Sequence, residues 1–163
     1  MGVGDLMMGC AFVNSKRGRE AADDAEATAT VLAAIEHGIR DFDTAPYYGP
    51  SEGRVGRALA AAAPLSAGGQ GADLRMWTKV GVVRDGATVA ELGASAYGAR
   101  TSFAESTERL GVTSLAGLRF HDIPDDKGPL DTTDLLIAAA AGPDGMVAGL
   151  RSMRAEGLIG EVS

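Results

Sequence analysis

The sequence predicts an α/β chain, a (β/α)8 barrel of which about the first four and a half βα units are present. Three observations predict it. Apolar runs of strand length alternate with helical patterns at intervals of about 35 to 43 residues, the rhythm of βαβ units and a parallel sheet. The first strand is not followed by the G-x-G-x-x-G turn that a dinucleotide-binding open sheet carries there. Polar residues also collect at the C-terminal ends of successive strands: Asp43 at the second, Lys79 at the third and His121 at the fourth. In a barrel those ends converge on one mouth. A doubly wound open sheet is the competing architecture. Length alone favours it, since a full barrel takes about 250 residues and the chain has 163.

The elements follow in order. A first strand is read at Leu6–Cys10, so close to Met1 that Met1 is not taken as a native start. Asp24–His37 then places Val31, Leu32 and Ile35 on one helical face and stops at Gly38, which suits a left-handed helix terminus. Arg40–Thr44 is the second strand. Ser51 is read as the N-cap of a second helix, in which Val55, Ala58, Leu59 and Ala62 keep the spacing of a buried stripe. Gly68-Gly69-Gln70-Gly71 precedes the third strand, Leu74–Val80, and so reads as a plain loop at the mouth opposite the site. Ser102-Phe103-Ala104-Glu105 has the capping-box form and leads a third helix to Leu110 and Gly111. That leaves Gly81–Thr101 as a long loop on the face where long loops carry function. Leu115–His121 is the fourth strand. Met146, Val147, Leu150 and Met153 stripe a fourth helix that stops near Gly157, and Gly160–Ser163 opens a fifth strand. Residues 1–163 are therefore read as the N-terminal portion of a single barrel domain.

Composition removes several function classes. With 45% apolar and 23% charged residues the chain belongs with ordered globular proteins. A formal net charge of -7 argues against a phosphate-tracking surface, so nucleic acid is not an expected partner. One cysteine, Cys10, cannot form an internal disulfide, which fits a reducing, cytoplasmic compartment. It reads as small core or cofactor-side packing. No run approaches the roughly 20 apolar residues of a membrane span, and no basic leader opens the chain. No metal is expected, because neither His37 nor His121 has partners at ligand spacing. His37, near a helix C-terminus, reads as a surface residue complementing the helix dipole.

The strand-end residues form a chemically coherent set. Tyr48 lies five residues past Asp43, in the loop above it, within reach of Lys79 and His121. A tyrosine gives up its proton near pH ~10 in isolation, and an adjacent cation favours the phenolate. Lys79 supplies that cation, Asp43 keeps Lys79 charged and placed, and His121 orients a hydrogen bond at a substrate oxygen. Tyr48 can then protonate a carbonyl oxygen as hydride reaches the carbon.

Asp43-Thr44-Ala45-Pro46-Tyr47-Tyr48-Gly49, Thr78-Lys79-Val80-Gly81 and Phe120-His121-Asp122 resemble, in this order, the signature segments of the aldo-keto reductases. The resemblance implies a barrel oxidoreductase using NADP or NAD. Tyr48 would be its general acid/base, Asp43 and Lys79 the pair that tunes it, and His121 the substrate-orienting group. Asp43 would also touch the nicotinamide ribose, and Gly9-Cys10-Ala11 matches a segment beside the cofactor. Gly81–Thr101, with Arg84, Asp85, Tyr97 and Arg100, is similar to the aldose dehydrogenase branch, as are Ser106–Gly111 and His121–Asp126. That branch oxidises sugars such as fucose, galactose or arabinose at C1, so the expected partner is a small carbonyl compound or sugar. In the family, later strands hold the cofactor's carboxamide, pyrophosphate and adenosine. The resemblance thus covers nearly all of this chain but part of the fold, and a fragment of a longer reading frame is expected. The alternatives are a half-barrel that dimerises or pairs with a second chain, a catalytically silent binding or regulatory relative, and an isolated fragment with no stable fold of its own.

Asp41 and Arg119 each precede a strand-end residue by two positions, so alternation turns both into the barrel interior. Because either charge alone is costly to bury, they are expected to face one another.

Overall fold

In a computed structural model the described residues are 6–14, 23–62, 73–80, 95–121 and 138–163. Five strands, β1 (Met7–Gly9), β2 (Asp41–Asp43), β3 (Arg75–Val80), β4 (Leu115–Phe120) and β5 (Ile159–Val162), lie in one sheet in chain order. Every pairing is parallel. Helices α1 (Asp24–Glu36), α2 (Ser51–Ala62), α3 (Ala96–Leu110) and α4 (Met146–Ala155) stand in the four connections. A doubly wound sheet reverses its strand order at a switch point, whereas a barrel keeps strands in sequence. This sheet has no reversal, so the open-sheet alternative falls and the architecture is that of the leading units of a barrel.

Alternation along the strands separates two faces. Phe42, Met76, Val80 and Leu118 turn toward the helices, where they join Val31, Ile35, Val55, Ala58, Leu110, Leu150 and Met153 in one buried apolar cluster. Each of these side chains larger than alanine contributes about 1.5–3 kcal/mol when fully removed from water. The other face carries Asp41, Asp43, Trp77, Lys79, Gly117 and Arg119, with Asp43 in register with Trp77, Trp77 with Gly117, and Lys79 with Arg119. That inner face is where the polar chemistry gathers.

Two helix starts differ from expectation. Ser51 is the first residue of α2, and its hydroxyl is not spent on a cap. It donates to the Cys10 carbonyl at 2.9 Å and meets Thr44 Oγ1 at 2.9 Å, tying the ends of β1 and β2 to the helix. Helix α3 begins at Ala96 rather than Ser102; Ser95 is its N-cap, with its side chain accepting from the Gly98 amide at 3.0 Å. Residues 96–101 of the expected loop are therefore helical, and Ser102 lies mid-helix. The reason is tertiary. The Ala96 amide donates to the Asp144 carbonyl at 2.9 Å, and Gly149 of α4 sits so close that a Cβ there would lie 2.7 Å from Ala96 Cα. Docking on α4 holds this first turn. The α3 terminus is as expected, with Gly111 left-handed at φ 69°. Residues 68–71 and 81–94, including Arg84 and Asp85, lie outside the described residues.

Helix α2 crosses α3 at a comparable approach. A Cβ on Gly56 would stand 2.6 Å from the Arg109 carbonyl oxygen and 2.9 Å from the Leu110 carbonyl carbon, both backbone atoms. Although alanine gains up to about 1 kcal/mol of helix propensity over glycine, Gly56→Ala is expected to destabilise the chain by about 1–3 kcal/mol through overpacking. Urea denaturation should show a lower midpoint at unchanged slope; an equal or higher midpoint would mean that the two helices part at no cost.

Beneath this crossing is a buried acid. Glu52, in the first turn of α2, is 1% exposed. It accepts from Thr78 Oγ1 of β3 at 2.7 Å and from Arg109 Nε of α3 at 2.6 Å. One carboxylate thus pins two helices and a strand. Arg54 does similar work nearby, donating to Asp24 Oδ1 at 2.7 Å and to the Val13 carbonyl at 2.6 Å.

Candidate active site

The mouth is assembled by backbone bonds at the strand ends. The Cys10 amide donates to the Asp43 carbonyl at 2.7 Å, the Thr44 amide to the Trp77 carbonyl at 2.9 Å, and the His121 amide to the Val80 carbonyl at 2.9 Å. These continue the ladder past each strand and gather Cys10, Asp43, Lys79 and His121 at the C-terminal end of the sheet. Tyr48 enters from the turn between β2 and α2, where its amide donates to the Ala45 carbonyl at 3.0 Å.

The three strand-end candidates and Tyr48 come together. Lys79 Nζ donates to Asp43 Oδ2 at 2.5 Å and to the Thr44 carbonyl at 2.9 Å, and it stands 4.8 Å from the centroid of the Tyr48 ring. His121 meets the Tyr48 ring edge to face, with centroids 5.4 Å apart and planes at 88°. It makes a second such contact with Tyr47 at 6.2 Å. His121 is buried while Tyr47 is 68% exposed, so the histidine is shielded by an aromatic that itself faces outward. An ammonium held against a tyrosine, with an imidazole in edge contact with the same ring, is an arrangement suited to moving a proton at the phenolic oxygen.

Gly9 and Cys10 adjoin the same spot. Gly9 is in register with Asp43, and the space where its Cβ would be is open. Cys10 is fully buried, and burial first, then the Asp43 charge, push its thiol up to about 12 despite the opposing pull of Lys79. A thiol that stays protonated at neutral pH is a poor nucleophile. Packing is its role here.

The expected pairing of Asp41 with Arg119 is not what forms. Arg119 Nη1 donates to Asp43 Oδ1 at 2.7 Å, and its guanidinium carbon lies 4.7 Å from the Trp77 ring centroid. Asp41 instead bonds Arg75 and accepts from Trp77 Nε1 at 3.0 Å. Both charges are neutralised on the inner face, as burial demands, but with other partners. Alternation assigns a face and leaves open the stagger between strands, and here the stagger sets Asp41 beside Arg75 and Lys79 beside Arg119. Trp77 fills the layer below the mouth. Its ring lies against Gly117, where a Cβ would collide with it.

Of the segments resembling the aldose branch, Tyr97 is 80% exposed on α3, and Arg100 bonds Glu156 and Ser152 on the outer surface. Residues 122–126 lie outside the described residues. Sequence reading did not find the partner of Arg119 or the role of Glu52. Ionic residues at barrel-layer and helix-start positions were the only signal available. Among the described residues no group of three or more His, Cys, Asp or Glu could hold a metal ion, and no helix is long and apolar enough to cross a membrane.

Comparison with known proteins agrees with this fold. A Pseudomonas aeruginosa structure described as an aldo-keto reductase is 28% identical, covers 96% of this chain and 52% of its own, and superposes at a TM-score of 0.65. The aldo-keto reductase of the silkworm Bombyx mori, solved in complex with NADP, is 21% identical over 97% of this chain and 45% of its own, at 0.69. The holo form of a Bacillus halodurans aldo-keto reductase is 21% identical over 96% and 44%, at 0.64. The chain therefore spans about half the length of the solved structures it resembles. The search of curated proteins returned no match. The sequence model of the aldo/keto reductase family matches residues 5–163, and with the sheet order and strand-end residues described above, the chain belongs to the aldo-keto reductase family.

Proposed function

We propose that residues 1–163 are the N-terminal portion of a single barrel domain and carry the proton-transfer site of an NADP- or NAD-dependent oxidoreductase, which interconverts a carbonyl compound and its alcohol. The observation that carries the proposal is the placement of Lys79, bonded to Asp43, 4.8 Å from the Tyr48 ring. The donor set fits the nicotinamide end of such a cofactor. Asp43 would accept a ribose hydroxyl, Gly9 leaves open room beside it, and Cys10 keeps a buried, protonated thiol that would not compete for the electrophile. The bound reduced cofactor supplies hydride to the carbonyl carbon. Tyr48 gives its proton to the carbonyl oxygen, Lys79 stabilises the resulting phenolate, and His121 directs the oxygen toward Tyr48. In the oxidising direction Tyr48 receives the alcohol or lactol proton. Aldoses are the substrate class we assign, on the resemblance of the segments around Gly81–Thr101 and His121–Asp126, and a cytoplasmic setting is the one we assign on the single cysteine of this chain.

The test is absorbance of the reduced cofactor with fucose, galactose and arabinose, and with small aldehydes, on the chain as given and on the same chain extended downstream. Sugar-dependent turnover is the expected result. Turnover with aldehydes alone would remove the aldose assignment. Absence of turnover in both forms would favour a binding or regulatory relative that keeps the site without using it.

A further inference from the structure

We propose that Arg119 is a positioning residue of this site: it holds one oxygen of Asp43 so that the other stays on Lys79 and keeps the ammonium against Tyr48. The inference rests on the reading of Asp43, Tyr48, Lys79 and His121 given above and adds to it a residue outside that set.

Asp43 has two carboxylate oxygens, and each has a separate cation. Oδ2 accepts from Lys79 at 2.5 Å and Oδ1 from Arg119 at 2.7 Å. With one partner a carboxylate rotates about its last bond and shares its oxygens. With two on opposite oxygens it is fixed. Arg119 is itself held. It reaches from β4 across β3 to β2, and the ring it crosses is Trp77, 4.7 Å below its guanidinium carbon. Trp77 in turn is fixed by its bond to Asp41 and by the missing side chain of Gly117. Contacts thus run from Asp41 and Gly117 through Trp77 and Arg119 to Asp43, Lys79 and Tyr48. At 31% side-chain exposure Arg119 is neither a free surface charge nor a core ion. A guanidinium is suited to this reach because it stacks on an aromatic face while donating in its own plane. Placement of a reacting group to within a fraction of an ångström governs rate far more than affinity.

Two replacements separate charge from bulk. Arg119→Met keeps an unbranched stem over Trp77 and removes the charge; Arg119→Lys keeps a cation near Asp43. In the form that turns over substrate, Arg119→Met should lower kcat about 10-fold with KM within about 2-fold, and Arg119→Lys should recover most of the loss. A kcat unchanged in Arg119→Met, or equally low in both variants, overturns the proposal. A measurement independent of turnover uses lysine labelled with nitrogen-15 at Nζ. The Lys79 ammonium signal, assigned by its loss in Lys79→Met, should be protected from exchange in the parent and in Arg119→Lys, and broadened in Arg119→Met. A signal unaffected in Arg119→Met overturns the proposal, and so does loss of the fold in that variant, because Arg119 would then be a structural residue. Failure of the catalytic reading would appear separately, as absence of turnover in the parent or as full turnover in Tyr48→Phe.

Discussion

Tyr48→Phe is expected to lower carbonyl turnover about 10²- to 10⁴-fold, the range that a positioned acid/base contributes. Phenylalanine keeps the ring that Lys79 and His121 both contact, so the cation contact at 4.8 Å and the edge contact at 5.4 Å have no reason to change. Only the phenolic oxygen leaves. The loss should therefore fall on kcat and kcat/KM alike, with KM nearly constant, the pattern of an interaction made in the transition state. Steady-state rates with one aldehyde and one aldose would check it. A rate within about threefold of the parent would sink the assignment of Tyr48 as the proton donor. Water would then have to fill that role, with His121 as the remaining side chain able to guide it.

Glu52→Ala is expected to be the most damaging single change to stability away from the mouth, at about 2–4 kcal/mol. Removing one partner of a buried ion pair strands the other, and here Thr78 Oγ1, itself fully buried, also loses its acceptor. The figure lies below the top of the range because Arg109 is 38% exposed and can turn to water. Thermal denaturation should record a fall of roughly 5–15 °C. Thr78→Val removes only the neutral bond and should cost about 1 kcal/mol. In the double variant Glu52→Ala with Arg109→Ala the two losses should not add; strict additivity would show that the pair is not coupled and that Glu52 acts by packing alone.

These two residues also mark where sequence reading succeeds and where it stops. Tyr48 was legible as a residue of the mouth because its position is set locally. It lies five residues from Asp43, and Asp43, Lys79 and His121 each follow an apolar run whose direction is implied by the βα alternation. Parallel strands bring their C-terminal ends together whatever the details of packing, so the site could be listed from positions along the chain. Glu52 was not legible. An acid in the first turn of a helix ordinarily complements the helix dipole at the surface, and only the crossing of α2 with α3 over β3 buries it against Thr78 and Arg109.

The same division holds for the rest of the molecule. By itself the sequence determined the number and order of strands among the described residues, the apolar faces of the helices, the stop of α3 at Gly111 and the residues at the mouth, because each depends on periodicity or on the conformational limits of one residue. Tertiary structure alone decided that α3 is capped by Ser95, seven residues before the capping-box serine, since docking on Gly149 and Asp144 chooses between two competent caps. It also decided that Arg119 bonds Asp43 while Asp41 bonds Arg75. Side-chain alternation has a period of two and tells which face a charge occupies; the stagger between neighbouring strands, set by hydrogen bonding and closure of the sheet, determines which charge it meets.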